Sequence, residues 1–388
     1  MTNQQTDLLV IGAGPFGLAI AAQAAHLGIN HLVVGKPMEF WRKHMPAGMY
    51  LRSSWDWHLD PLDVHTIENF LESRGQMTAG IEPLSLDFYL AYAEWFQTQK
   101  GIVALPWVVQ RVDRDAENGI FTATTNTGEI IEARNVALAP GFRYFPNIPE
   151  ELESRLPAGR YEHTCEFVDF SAAAHQRYLI IGGRQSAFEW AALLLEAGAQ
   201  MVYVSHRHDS PAFAVSDWTW VEPLVDRMNA DPNWFRRLSQ EEKDTLNRRL
   251  WAEGRLKLEP WLEPRISNER VKVLPRTEVV ASVEQDGEVI VALSDGAEIF
   301  CDRIVLATGY KVDIGRVPFL AAGNVLPELE TRNGFPALDE QFQTSVPGLF
   351  ITSMPASQDF GPFFGFTVSV RASARLIGKA VEQRTHPR

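Results

Sequence analysis

A chain of 388 residues with 45% hydrophobic and 22% charged residues belongs with folded globular proteins and not with disordered, collagen-like or coiled-coil ones. Its length predicts two or three domains, each with its own core. Acidic residues outnumber basic ones 49 to 36, and the net charge of −13 argues against nonspecific binding to nucleic acid or anionic lipid.

Leu8, Leu9, Val10 and Ile11 form a continuous apolar run, the pattern of a strand buried on both faces. Gly12-Ala13-Gly14-Pro15-Phe16-Gly17 follows, then an alanine-rich helical stretch stopped by Gly28, and a second apolar run from His31 to Val34. In a G-x-G-x-x-G turn of this kind Gly12 allows the tight turn and Gly14 lets backbone N–H groups approach a pyrophosphate. Gly17 lets helix and strand pack closely. The phosphates then sit at the positive end of the helix dipole. The acidic residue that would bind the ribose hydroxyls after the second strand is absent. Gly35 and Lys36 stand there, with Glu39 as the candidate from the next turn.

Short alternating runs from Val108 to Ile131, with the turn Asn126-Thr127-Gly128, predict a β-meander closed by a strand ending Ala139-Pro140-Gly141. A second unit of the same plan starts at Tyr178. Leu179-Ile180-Ile181 lead into Gly182-Gly183-Arg184-Gln185-Ser186-Ala187, a helical stretch to Glu196, the stop Gly198, and a strand from Met201 to Val204. Gly182 and Ala187 hold the first and third positions of the pattern and Arg184 the second. That side chain either crowds a pyrophosphate or turns outward to pair with a phosphate. His206 and Arg207 follow the strand, and a basic residue in place of Asp or Glu suits the 2′-phosphate of NADP. From Arg207 to Arg270, five tryptophans and charge runs such as Glu241 to Arg249 predict a mainly helical insertion, its large rings serving packing before substrate contact. Val279 to Leu293 and Ile304 to Tyr310 then repeat the meander and its A-x-G ending at Gly309.

These residues resemble the two-dinucleotide-binding-domain flavoproteins, and among them the class B flavin-dependent monooxygenases: flavin-containing, Baeyer–Villiger and N-hydroxylating enzymes. The resemblance spans essentially the full length. It rests on the Gly12 to Gly17 turn for FAD, the Gly182 to Ala187 turn for NADPH, and the strand endings at Gly141 and Gly309. A version of F-x-G-x-x-x-H-x-x-x-(W/Y/F) also lies around Gly159, His163 and Phe167, with Pro157 in place of the first Phe. The resemblance implies an α/β fold of two Rossmann-like dinucleotide-binding domains plus a helical insertion. FAD would bind residues 1–150 and 313–388, and NAD(P)H an inserted domain at 151–312, with the helical insertion at about 215–265. It implies FAD and NADPH as cofactors, and transfer of one atom of O2 to a small organic substrate through a flavin C4a-(hydro)peroxide. The implied cofactor contacts are Gly12, Gly14, Pro15, Phe16, Gly17, Gly35, Lys36, Glu39, Trp41, Gly182, Gly183, Arg184, Gln185, Ser186, Ala187, His206 and Arg207, with Gly141, Thr308, Gly309, Tyr310 and Phe350 at strand ends. His163 would be a linker residue coupling the domains during nicotinamide chemistry; the plain alternative is a satisfied histidine.

Tyr50 to His58 and Phe360 to Phe366 are rich in aromatic and small residues and are the expected walls of a dry substrate cavity. Arg52, Asp56 and His58 are the titratable catalytic candidates there, with a buried structural salt bridge as the alternative. The sequence carries no H-E-x-x-H, Walker A or G-x-S-x-G pattern and no metal-ligand spacing among its ten histidines, so no hydrolase or metal site is expected. Its two cysteines, Cys165 and Cys301, exclude a CxxC pair and a disulfide framework. No run reaches the roughly 18 uncharged apolar residues of a membrane span and no basic region precedes the first strand. The expectation is a cytoplasmic enzyme acting on a small molecule and O2, without nucleic-acid or membrane partners. Two rival readings stay open beside the monooxygenase: an NAD(P)H-dependent reductase passing electrons to a quinone or small redox protein, and a non-catalytic flavin-binding sensor.

Overall fold

The computed structural model describes residues 3–385; Met1, Thr2 and residues 386–388, at the two ends of the expected FAD-binding segments, lie outside them. Leu8, Leu9 and Val10 are fully buried because their strand, Asn3–Ile11, runs through the middle of a seven-stranded sheet. It pairs in parallel with His31–Val34 on one side and Ile130–Leu138 on the other. Ala104–Leu105 and Leu349–Ile351 extend the parallel part, and Val109–Arg114 and Phe121–Thr125 add an antiparallel edge. The helix Pro15–His26 packs along the C-terminal helix Val370–Thr385. Gly378 permits that closeness, since a Cβ there would come within 2.5 Å of the Gln23 side chain.

The second sheet has five parallel strands in the order Val271–Pro275, Met201–His206, Arg177–Ile181, Arg303–Leu306 and Tyr161–His163. A separate antiparallel meander, Val279–Gln285, Glu288–Leu293 and Glu298–Cys301, accompanies it. Its first turn is Asp286-Gly287, both with positive φ (54° and 87°), as a two-residue hairpin of the I′ type demands. Each half thus has the predicted Rossmann-like plan of parallel sheet plus meander.

Between Met201–His206 and Val271–Pro275 of the second sheet the chain forms the helices Glu222–Ala230 and Gln240–Leu256 and the short Glu263–Ile266. The longest begins at a capping box: Ser239 Oγ accepts from Glu242 N–H, and the Glu242 carboxylate accepts the Ser239 N–H at 2.7 Å. Packing explains Trp234, which is buried, but Trp218 and Trp251 keep 38% and 48% of their surface exposed. Two passes of chain run side by side between the halves. Asn147 N–H donates to Gly309 O and Lys311 N–H to Phe145 O, each at 2.9 Å. Among the described residues no helix is long and apolar enough to cross a membrane.

Candidate dinucleotide sites

The two glycine turns are built alike, down to individual hydrogen bonds. Gly12 N–H donates to Val34 O and Gly182 N–H to Ser205 O, both at 2.9 Å. Ala139 N–H donates to Ile11 O and Ala307 N–H to Ile181 O, again at 2.9 Å. The Ala of each A-x-G strand end therefore lies against the first glycine of its turn. A Cβ on Gly12 would stand 2.5 Å from Ala139 O, and one on Gly182 2.4 Å from Ala307 O. Both glycines also have φ far into the positive region, 110° and 141°.

Behind each turn a helix starts with an extended N-cap residue, Gly14 for Pro15–His26 and Arg184 for Gln185–Glu196. Neither helix has a side-chain cap or an acidic residue in its first turn. The orphan N–H groups and the positive dipole end are thus left for an outside anion. At the first turn Pro15 takes the N1 position, and Phe16 and Gly17 are buried. A Cβ on Gly17 would come 1.7 Å from Gly12 O, whereas one on Gly14 would meet nothing within 4 Å. The space in front of Gly14 is therefore open, which is the room a pyrophosphate needs.

At the second turn the Arg184 guanidinium lies 4.5 Å from the ring centre of Trp251 in the helix Gln240–Leu256. Ala187 is buried, as close helix–strand packing requires, and Ser186 is exposed. Gly183 is sterically required for a reason absent from the motif: a Cβ there would strike the His206 ring at 2.5 Å. His206 is buried and stacked on His208 at 4.6 Å, with burial, chiefly, pulling its pKa down. Arg207 is exposed just past the strand.

The missing ribose acid has a steric cause. Gly35 has φ 135°, and a Cβ there would press to 3.1 Å on Ala13 N, so no Asp or Glu fits the position. Glu39 lies between Lys36 at 3.6 Å and Lys43 at 3.5 Å. Trp41 stacks on Tyr89 at 4.8 Å. Gly141 N–H donates to Ser353 Oγ at 3.1 Å, tying the first A-x-G end to a residue two positions beyond Leu349–Ile351, the return strand that pairs with Ile130–Leu138. Ser353 carries φ 63°, and nothing in its sequence context signals it. Phe350, expected beside a cofactor, is fully buried in the core, so its ring faces no open cleft.

His163 is likewise fully buried. Its Nε2 donates to Gly309 O at 2.9 Å, and Nδ1 accepts from Cys165 N–H at 3.3 Å, which places the proton on Nε2. Burial lowers its pKa and keeps it neutral. Tyr310 packs edge-on against it at 5.2 Å, and Thr308 O accepts from the Asn147 amide at 3.2 Å. His163 thus fixes the second A-x-G end where the two halves cross.

The three titratable candidates do not come together. Arg52 donates to Glu259 Oε1 and to Gly254 O, each at 2.7 Å, and so faces the helical insertion. Asp56 is exposed. His58 is buried, 2.9 Å from Arg371 and 3.3 Å from Asp63; desolvation first, and Arg371 second, push its pKa down to about 4. The salt-bridge alternative describes Arg52, paired with the sequence-remote Glu259, whereas His58, neutral at its lowered pKa, is held beside Arg371 without an ion pair of its own. The second aromatic stretch is also mostly core. Phe360 stacks on Phe342 at 3.7 Å, Phe363 and Phe364 are buried, and Phe366 alone of the four is exposed. Among the described residues no group of His, Cys, Asp and Glu is placed to hold a metal ion.

Two Rossmann-like units in one chain, each with a glycine turn before an uncapped helix, define an oxidoreductase of the two-dinucleotide class. The family model described as pyridine nucleotide-disulphide oxidoreductase matches residues 9–230, more than half of the chain, and a second model of that description matches 245–352. The chain belongs to this family. It is 23% identical over 355 residues to an "uncharacterized oxidoreductase CzcO-like" of Geobacillus kaustophilus, covering 90% of this chain and 91% of the relative. It is 26% identical to the indole-3-pyruvate monooxygenase YUCCA1 of Oryza sativa subsp. japonica, over 79% of this chain and 77% of that one. The fold is shared with the ornithine N-hydroxylase KtzI of Kutzneria sp. 744, with a TM-score of 0.79 at 15% identity, covering 98% of this chain and all of that one.

Proposed function

We propose that the protein is an FAD-dependent, NADPH-reduced monooxygenase that passes one oxygen atom of O2 to a small organic substrate. The observation that carries the two-cofactor part of this reading is the duplicated cradle: two uncapped helix N-termini, each behind a glycine pinned by the carbonyl of a returning strand. The likeness to YUCCA1 and KtzI favours oxygen transfer over plain reduction. The first fits FAD, whose pyrophosphate takes the open space at Gly14, with Glu39 and the strand ends at Gly141 and Ser353 as further contacts. The second fits NADPH, with Ser186, Arg184 and Arg207 as phosphate partners. Bound there, the flavin supplies hydride acceptance and oxygen activation. The chain itself orients the two groups across the crossing at Asn147 and Gly309, and His163 holds that crossing as a neutral ring. Residues 1–150 and 313–388 are assigned to the FAD part and 151–312 to the nicotinamide part. Thiol–disulfide chemistry is disfavoured. Both cysteines are buried, and burial pushes the Cys165 thiol up and the Cys301 thiol up to about 12, away from the reactive thiolate.

The test uses the FAD-loaded protein. NADPH is added without oxygen, oxygenated buffer follows, and isotopically labelled oxygen is traced into amines, sulfides and ketones by mass spectrometry. Bleaching by NADPH, with label in one product class, is the expected result. Bleaching followed by stoichiometric peroxide, with no labelled product, would replace the monooxygenase by a reductase. No bleaching with NADPH or NADH would reject both.

A further inference from the structure

The stretch from Tyr50 to Arg52 belongs to the first half of the molecule, where Leu51 N–H donates to Leu84 O at 2.8 Å, yet Tyr50 and Arg52 also reach into the second. Tyr50 N–H donates to Glu189 Oε1 at 3.3 Å. Arg52 spends its guanidinium on Glu259, on the Gly254 carbonyl and, at 3.4 Å, on Ser216 Oγ. Both anchors lead to the second glycine turn. Glu259 N–H donates to Gln185 Oε1 at 3.2 Å, and Gln185 is the first residue of the helix behind that turn. Trp251, on which Arg184 lies, is three residues before Gly254 on the same helix and therefore on the same face. Glu189 stands one turn into the helix that Gln185 opens. Gln185 Nε2 is buried without a partner, a donor left over at the helix start where an acceptor would complete it.

We propose that Arg52 is a positioning residue that couples the two dinucleotide sites: a nicotinamide dinucleotide seated at Arg184 and Gln185 sets, through Glu259 and Gly254, where the 50–58 segment lies. This rests on the functional reading above. The path runs from Gln185 Oε1, which accepts the Glu259 N–H, through the Glu259 carboxylate to its charge-assisted bond from Arg52, with a second arm through the Arg184–Trp251 cation–π contact and Gly254. The far end of the 50–58 segment is itself tied down. Ser53 Oγ meets Thr367 Oγ1 at 3.4 Å beyond the return strand, and His58 is locked to the C-terminal helix by Arg371. A shift at Arg52 is therefore delivered into the segment and not dissipated at its end.

The test compares FAD-loaded wild type with Arg52→Met, Arg52→Lys and Glu259→Gln. NADP+ affinity is measured by calorimetry, and the change that NADP+ causes in the flavin absorption spectrum is recorded. In Arg52→Met the expectation is unchanged FAD content, NADP+ binding about tenfold weaker, and loss of the NADP+-induced spectral change. Arg52→Lys should restore part of both, and Arg52→Met with Glu259→Gln should be no worse than Arg52→Met alone. Should Arg52→Met fail to fold, Glu259→Gln, which leaves the bonds to Gly254 and Ser216, carries the same two readouts. A lower melting temperature with unchanged NADP+ affinity and spectrum would make Arg52 a mere brace and overturn the proposal alone. Wild type that takes up FAD but not NADP+ would overturn the functional reading and the proposal with it.

Discussion

Gly14 and Gly17 share one turn, but their missing side chains serve different ends. At Gly17 the hydrogen is a folding requirement, because a Cβ would sit 1.7 Å from Gly12 O. At Gly14 a methyl group meets no atom of the chain within 4 Å and intrudes only on whatever occupies the space outside. Gly17→Ala should therefore yield little folded protein. Gly14→Ala should fold with a melting temperature within a few degrees of wild type and bind FAD at least about tenfold more weakly, as a lost pyrophosphate contact implies. Melting of the cofactor-free protein and titration with FAD separate the two. Equal FAD affinity in Gly14→Ala would remove the first turn from the cofactor site. These glycines were legible in the sequence because their constraint is local. Gly35 was legible only as a missing acid, since its cause, Ala13 N across the turn, belongs to the fold. The surroundings of Arg52 and His58 are not legible in the sequence, because their partners Glu259 and Arg371 are remote along the chain and titratable residues grouped in a segment need not face one way.

Among the elements, the strands and the two βα turns were readable from apolar runs and glycine spacing, since a strand covered on both faces admits little else. The aromatic stretch after the return strand was less so. Periodicity does not distinguish a ring in the core, such as Phe360, from one lining a cavity. The short strand Tyr161–His163 shows how a motif residue can serve the packing of the chain. It pairs at the edge of the second sheet with Arg303–Leu306, and His163 there bonds the Gly309 carbonyl just beyond. Truncation in His163→Ala removes one of the two donors to that carbonyl, the Asn147 N–H remaining, and leaves a ring-sized void, a cost of about 2–4 kcal/mol. The expected outcome is a clearly lower melting temperature with FAD still bound, because the first cradle is untouched, and slower reduction of the flavin by NADPH. An unchanged melting temperature would show that the buried bond does not hold the crossing.

Across the whole molecule, two buried groups at two seams titrate in opposite senses. Burial, helped by Arg371 and opposed by Asp63 and Asp60, pulls His58 from 6.5 down to about 4. Burial drives Glu189 from 4.5 up to about 7, against Arg265 and the Tyr50 N–H and with a small push from Glu196. For His58 the unfolded chain binds the extra proton between those values, so its share of stability is full above pH 6.5 and is lost as pH falls toward 4. For Glu189 the folded chain binds it, so its share is full below pH 4.5 and is lost as pH rises through 7. Each displacement is worth roughly 3 kcal/mol at most, and over their shared range the slopes oppose, so wild type should show little pH dependence from this pair. His58→Gln should expose the Glu189 slope, with melting temperature falling from pH 5 to pH 7. Glu189→Gln should expose the His58 slope and rise over the same interval. Melting curves of the three proteins at pH 5, 6 and 7 test the pairing. Parallel profiles in all three would mean that neither seam carries its charge cost into folding, and that the Glu189 contact between the halves is no more than close packing.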